Sequence, residues 1–216
     1  MSISNGLAIE GRADIATELL DWLAGLLSAP MSTDTVQACR SRSGTVLFDA
    51  INDELGYMPG IEAMRSALRS DESDEDIAAR LSGCYVRLFE GPGGPATVSL
   101  YESTYCGSSR RLQQHATAAM EAMLRRCDMD VRASHGEPAD HLSIETALLA
   151  TLLRGDDPIA TDELRQRLLA WVPQAGAACA VADPRGFYRG AFIALHDTLL
   201  ALPAISSIRT CHERSR

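Results

Sequence analysis

A chain of 216 residues with 46% apolar and 23% charged residues can bury roughly 70% of the surface its unfolded form exposes, which excludes a wholly disordered or fibrous protein. Twenty basic residues against 29 acidic ones give a net charge of -9. With no concentrated basic stripe, this balance repels phosphate backbones and anionic membrane surfaces and excludes nucleic acid as a partner. A basic peptide would be drawn in, although ordinary solubility accounts for the same charge. Aromatics make up only 5%, so Leu, Ala, Ile and Met must fill the core, a mixture that suits helices.

In chain order, Ile15, Leu19, Trp22, Leu23, Leu26 and Leu27 recur at three- and four-residue steps and predict a helix from about Arg12 to Ser28, ending before Pro30. A polar stretch from Met31 to Ser43 follows. Val46, Leu47, Ile51 and Leu55 then predict a second helix closed by Gly56, and Pro59 opens a short third one carrying Ile61, Met64 and Leu68. Ser73 with Asp76 three residues on reads as a capping box, so a helix should run from there through Ile77, Leu81 and Tyr85 to Phe89. It stops at Glu90-Gly91-Pro92-Gly93-Gly94-Pro95, and the chain to Tyr105 is a loop with one helical turn. Further helices are expected over Ser108–Arg126, Glu137–Leu153 with Pro138 in its first turn, Asp162–Val172, and Asp183–Leu202 with Asp183-Pro184 as its cap. Asp128 to Gly136 is the candidate hinge between an N-terminal lobe (1–127) and a C-terminal lobe (137–216). No alternating strand pattern and no repeat is present, so the expected fold is all-α, a two-lobed bundle of about 8–10 helices.

The six cysteines show neither CxxC nor a repeated spacing, so neither a zinc site nor a disulfide framework is signalled. The N-terminus lacks the basic, apolar and small-residue order of a secretory leader, and no stretch reaches the roughly 18 apolar residues needed to cross a bilayer. No stable membrane insertion is therefore expected.

Two segments carry the chemistry. In Glu137-Pro138-Ala139-Asp140-His141-Leu142-Ser143-Ile144-Glu145, continuous helix at roughly 100° per residue would put His141, Glu145, Leu148 and Leu152 within about 60° of one another. Two ionisable groups then lie on the face to be buried. They must be paired with each other, bonded to another helix, or open to a ligand groove. A shared metal would need a third ligand, and His115, His135, His196 and His212 form no motif. In the second segment, Tyr85-Val86-Arg87-Leu88-Phe89-Glu90-Gly91-Pro92, an aromatic-aliphatic helix end runs into a glycine-proline loop that continues to Ser99-Leu100-Tyr101-Glu102-Ser103-Thr104-Tyr105. This reads either as a core helix with its stop or as a trough for a peptide. Gly91-Pro92-Gly93-Gly94 lacks the Gly-Lys-Ser/Thr ending of a phosphate loop, and no nucleophile elbow occurs.

Taken together the segments resemble the TorD/DmsD family of redox-enzyme maturation chaperones, within the NarJ-like superfamily, in which Tyr/Trp-x-x-Leu-Phe-x-Gly-Pro, Trp-x-Ser-x-Tyr-like and Glu-Pro-x-Asp-His-x-x-x-Glu stretches occur in that order. Tyr101 stands where a tryptophan is common, and Leu169-Ala170-Trp171-Val172-Pro173 with Asp183-Pro184-x-Gly-Phe187-Tyr188 resembles the closing helices. The resemblance implies a cytoplasmic, non-enzymatic protein without a cofactor. Such a protein binds the twin-arginine leader of a molybdopterin oxidoreductase, holds its catalytic subunit for cofactor loading, and delays export. Tyr85, Leu88, Phe89, Gly91 and Pro92 would then line one side of the leader groove, with Tyr101 and Glu102 near it, and Glu137, Pro138, Asp140 and His141 the other. Asp140, Glu137 and Glu102 are the carboxylates expected to meet the arginines. The competing readings are a leader-independent assembly scaffold for a nitrate-reductase-like complex and a metal-dependent helical enzyme centred on His141 and Glu145. Exchange of lobes across the hinge would give a homodimer.

Overall fold

The computed structural model describes residues 3–91, 94, 96–106, 115–129, 136–184 and 186–202, with side chains from residue 11 onward. Nine α-helices occur among them: α1 (Ile3–Ser28), α2 (Thr33–Arg40), α3 (Arg42–Leu55), α4 (Pro59–Leu68), α5 (Asp74–Phe89), α6 (His115–Arg126), α7 (Leu142–Arg154), α8 (Pro158–Ala182) and α9 (Phe187–Ala201), with one 3-10 turn at Glu102–Thr104. The described residues contain no strand, only an isolated antiparallel bridge between Tyr101 and His141. The fold is all-α.

Local chemistry sets most helix starts. Ser32, Ser41, Ser73 and Asp157 accept hydrogen bonds from the amides of Thr35, Gly44, Asp76 and Ala160, each satisfying an otherwise orphaned first-turn donor, an arrangement that stabilises by about 1 kcal/mol. Pro59 and Pro158 occupy first-turn positions, where a missing N–H costs nothing.

Several boundaries differ from the sequence reading. Met31–Ser43 contains α2, which buries a single side chain, Val36, and so presents no apolar period to read. The α7 helix starts at Leu142 rather than Glu137, and Pro138 lies outside it, because the residues before Leu142 pair with the loop around Tyr101. The α8 helix continues through Pro173 to Ala182, since Ala175 and Cys179 carry the buried stripe onward. Packing of that stripe outweighs the one hydrogen bond that a helical proline forfeits. Finally, Asp183 closes α8 instead of opening α9, whose N-cap is Gly186. The helix read from Arg12 begins at Ile3. The expected start of the sixth helix at Ser108, and positions 130–135 of the candidate hinge, lie outside the described residues.

The helices are neighbours in an order unlike that of the chain. The buried stripe of α1, Leu19, Leu20, Leu23 and Leu27, packs against α7, while α4 packs against α9, α9 against α8, and α2 against α5. One apolar cluster joins these helices, with Trp171, Tyr188, Phe187 and Phe192 as its largest fully buried members. None of the described helices is long and apolar enough to cross a membrane.

Candidate functional site

The end of α5, the loop 96–106 and the segment 137–142 converge. Val98 N–H donates to the Leu88 carbonyl at 2.7 Å and so folds the loop back onto the helix end. That return needs a glycine at position 91, because a Cβ there would lie 2.7 Å from both the Arg87 carbonyl oxygen and Thr97 Cγ2. Two further backbone bonds, Glu102 N–H to the Asp140 carbonyl at 3.0 Å and Leu142 N–H to the Leu100 carbonyl at 2.7 Å, clip the loop to the residues before α7.

Asp140 completes the clip. Its side chain is 1% exposed, with one oxygen accepting from Ser103 N–H at 3.1 Å and the other from the Thr117 hydroxyl at 2.7 Å. His141 is the N-cap of α7: Nδ1 accepts from Ser143 N–H at 3.2 Å and lies 2.7 Å from Ser143 Oγ, which places the ring proton on Nε2. Its ring meets Tyr101 edge-on at 5.0 Å. His141 and Glu145 are both buried as their spacing suggested, although His141 precedes the helix and Glu145 reaches toward α8.

On that side lies a charge cluster. The Glu102 carboxylate, 7% exposed, is paired with Arg167 of α8, whose guanidinium also donates to the Ala116 carbonyl at 2.6 Å and comes within 3.9 Å of Glu145. Glu145 is 0% exposed and accepts from the Trp171 indole at 3.2 Å, while Tyr105 stacks on Trp171 at 5.5 Å. Burial, and then the Glu102 charge, hold the Glu145 carboxyl well above the usual carboxylate range against the opposing pull of Arg167 and the indole. The folded acid therefore keeps its proton to a higher pH than the unfolded one. Stability is fullest below the unfolded pKa and declines as pH rises toward the folded value. Glu145→Gln removes this titration, so as pH rises above the usual carboxylate range its melting temperature should fall less than that of the parent; parallel slopes in thermal melts would refute the assignment.

Facing outward are Glu137, which is exposed, and Tyr101 and Pro138, which are half-buried. The Tyr101 hydroxyl donates to the Glu137 carboxylate. Desolvation and that bond raise the Tyr101 phenol, while burial and the charges of Glu90 and Glu137 push Tyr85 up to about 12, so Glu137 is felt at both aromatic residues. Behind them Tyr85, Phe89 and Tyr188 form edge-to-face contacts at 5.0 to 5.7 Å.

The structure thus brings together Tyr85, Leu88, Phe89, Gly91, Tyr101, Glu102, Glu137, Pro138, Asp140 and His141, whereas Pro92 lies outside the described residues. Of the three carboxylates expected to face arginines, Glu137 alone is exposed, and Asp140 and Glu102 are committed to internal partners. Sequence reasoning missed Arg167. Its spacing of four from Trp171 was the available signal, since it sets the guanidinium beside the buried face of α8. Among the described residues no three His, Cys, Asp or Glu side chains are grouped to hold a metal ion.

The site joins an exposed carboxylate, Glu137, to the Tyr101 hydroxyl beside an aromatic group in an all-helical frame, an arrangement suited to binding. The family model described as nitrate reductase delta subunit matches residues 54–175, more than half of the chain, and the chain belongs to that family. Curated relatives named "Chaperone protein TorD" include those of Aeromonas salmonicida, 28% identical over 203 residues (87% of this chain, 88% of the relative), and Actinobacillus pleuropneumoniae, 27% over 175 residues (78% and 84%). Another, from Aliivibrio fischeri, is 25% identical over 183 residues (79% and 85%). No solved structure matches significantly. Family and relatives make this a redox-enzyme maturation chaperone, not an enzyme.

Proposed function

We propose that the chain binds the twin-arginine leader of a molybdopterin oxidoreductase in the cytoplasm, assists cofactor insertion and folding of its catalytic subunit, and withholds it from export until loading is complete. The observation that supports this most is the presentation of Glu137 on Tyr101, above the aromatic group of Tyr85, Phe89 and Tyr188. A leader needs a carboxylate for its guanidinium fork and an apolar wall beside it. Glu137, Tyr101, Pro138 and Gly91 would touch the leader. Asp140, His141, Glu102, Leu88 and Tyr85 would act by holding the loop and α7 in register beneath it.

The test is calorimetric titration with twin-arginine leader peptides from redox enzymes of the same genome, beside copies with both arginines changed to Ala. One leader should bind, and both the altered copy and Glu137→Gln should lose about tenfold, the value of one charge-assisted contact. Because Glu137 is exposed, the melting temperature of the variant should stay within about 2 °C. Binding unaffected by the arginine changes, or by Glu137→Gln, would overturn this reading of the site, and capture only of a leaderless catalytic subunit would favour the assembly scaffold.

A further inference from the structure

Where the loop 96–106 meets α7 and α8, one cation stands between two buried anions. The Arg167 guanidinium is committed to Glu102 through a terminal nitrogen, while its Nε lies 3.9 Å from Glu145 Oε1, too far for a hydrogen bond. Neither of these facing atoms has a hydrogen-bond partner among the described residues, although both are shielded from solvent. A proton on Glu145 Oε1 accounts for the gap, because Oε2 already accepts from the Trp171 indole and an acid O–H facing Nε–H sets two donors against each other. Loss of that proton turns Oε1 into an acceptor, and the unmade bond then has both its ends.

The groups facing Glu145 decide what would follow. The loop contributes Glu102 and Cys106, the segment before α7 contributes Asp140 and His141, and α8 contributes Arg167. From α1, packed on α7, Glu18 and Asp21 are held by Arg154 at the far end of the helix. Ionised Glu145 would join Glu102 and Asp140 around a single guanidinium, all three carboxylates being buried, so one of them must yield. Glu145 is fixed within α7, and Asp140 is held by Ser103 N–H and the Thr117 hydroxyl. Glu102 rides on a three-residue 3-10 turn, with Arg167 and the Cys106 thiol of its own loop as side-chain partners. The loop is the element free to move.

We propose that Arg167 is a titratable latch on the leader site: with Glu145 neutral it grips Glu102 and keeps the loop bearing Tyr101 closed, and with Glu145 ionised it turns to Glu145 and the loop opens. The Glu145 proton passes to solvent, and Tyr101 loses its station beside Glu137. The raised Glu145 acid agrees in sign, since a closed state that keeps its proton to higher pH than the open one is favoured at low pH. The consequence for the peptide rests on the leader reading above. Affinity for a leader should fall as pH rises, and a leader that selects the closed loop should draw a proton into the protein.

Hydrogen exchange on the full chain without peptide tests the latch at Glu102, Ser103, Tyr105 and Cys106, whose amides are bonded in or across the loop. Corrected for intrinsic exchange, protection should fall as pH rises above the usual carboxylate range, by at most about tenfold per pH unit, the limit for one proton. Glu145→Gln, which retains His141 and Cys106, should show no such fall. Glu102→Gln should leave the loop poorly protected at every pH, because the guanidinium is no longer drawn to it. Calorimetric titration with a twin-arginine leader peptide in phosphate and in Tris should reveal uptake of up to about one proton by the parent and none by Glu145→Gln. Protection independent of pH, or falling equally in Glu145→Gln, would overturn the latch even where a leader binds. Should Glu145→Gln fail to fold, a loop as protected in Glu102→Gln as in the parent would overturn it too. A pH-dependent loop that Glu145→Gln fixes, in a chain that binds no leader, would support the latch and count against the leader reading alone.

Discussion

Arg167→Met should destabilise the protein by about 3–5 kcal/mol, the usual penalty for leaving a buried carboxylate without its cation. For a chain of this size that amounts to a fall in melting temperature on the order of 10 °C. The reason is positional. Arg167 joins the loop 96–106 through Glu102, the start of α6 through the Ala116 carbonyl, and α7 through Glu145. Methionine keeps the length of the stem and loses every donor. Glu102→Gln combined with Arg167→Met should recover part of the loss, because it removes the stranded charge along with its partner. Denaturant unfolding of the parent, the two single variants and the double variant measures this. A single-variant loss below about 1 kcal/mol would show the pair to be replaceable by packing alone.

The second large effect concerns the crossing of α4 and α9. Gly60→Ala should cost about 3 kcal/mol, at the upper end for overpacking. A Cβ at position 60 would lie 2.3 Å from the Ala194 amide nitrogen and 2.5 Å from the Gly190 carbonyl oxygen, and backbone cannot step aside as a flexible side chain can. The control runs in the opposite direction. Gly25 in α1 and Gly83 in α5 have nothing within 4 Å of an added Cβ, so the same change there should stabilise by about 0.5–1 kcal/mol through helix propensity. If Gly60→Ala also stabilised, the close approach of α4 and α9 would be wrong.

Both predictions bear on how the site is supported. Helix α9 carries Tyr188 and Phe192, which back Phe89 at the rim of the candidate groove, and α8 carries Arg167, which holds the loop bearing Tyr101. Loosening either helix should reduce affinity for a peptide at Glu137 even though neither Gly60 nor Arg167 touches it. Stability and binding are therefore expected to fall together in these variants, in contrast to Glu137→Gln, where binding alone falls.

Much of this was legible in the chain because it rests on short-range chemistry. Ser73 and Asp76, Pro59, and the three- and four-residue recurrence of leucines specify helices whose hydrogen bonds and caps close within a single turn. The run from Tyr85 to Gly91 likewise ends its helix by itself, and its order relative to Glu137-Pro138-x-Asp140-His141 was enough to identify a family. Tertiary structure decided the rest, through contacts that no window spans. It turned residues 137–141 away from helix by pairing them with a loop some 37 positions earlier, so His141 caps α7 rather than riding on it. It drew Asp140 and Glu102 inward, the latter to Arg167 at a separation of 65 residues, and left Glu137 as the exposed carboxylate of the three. Local sequence fixes which residues can be buried or charged. Which of them face a ligand depends on where desolvated charges find partners, and that is set only when remote helices meet.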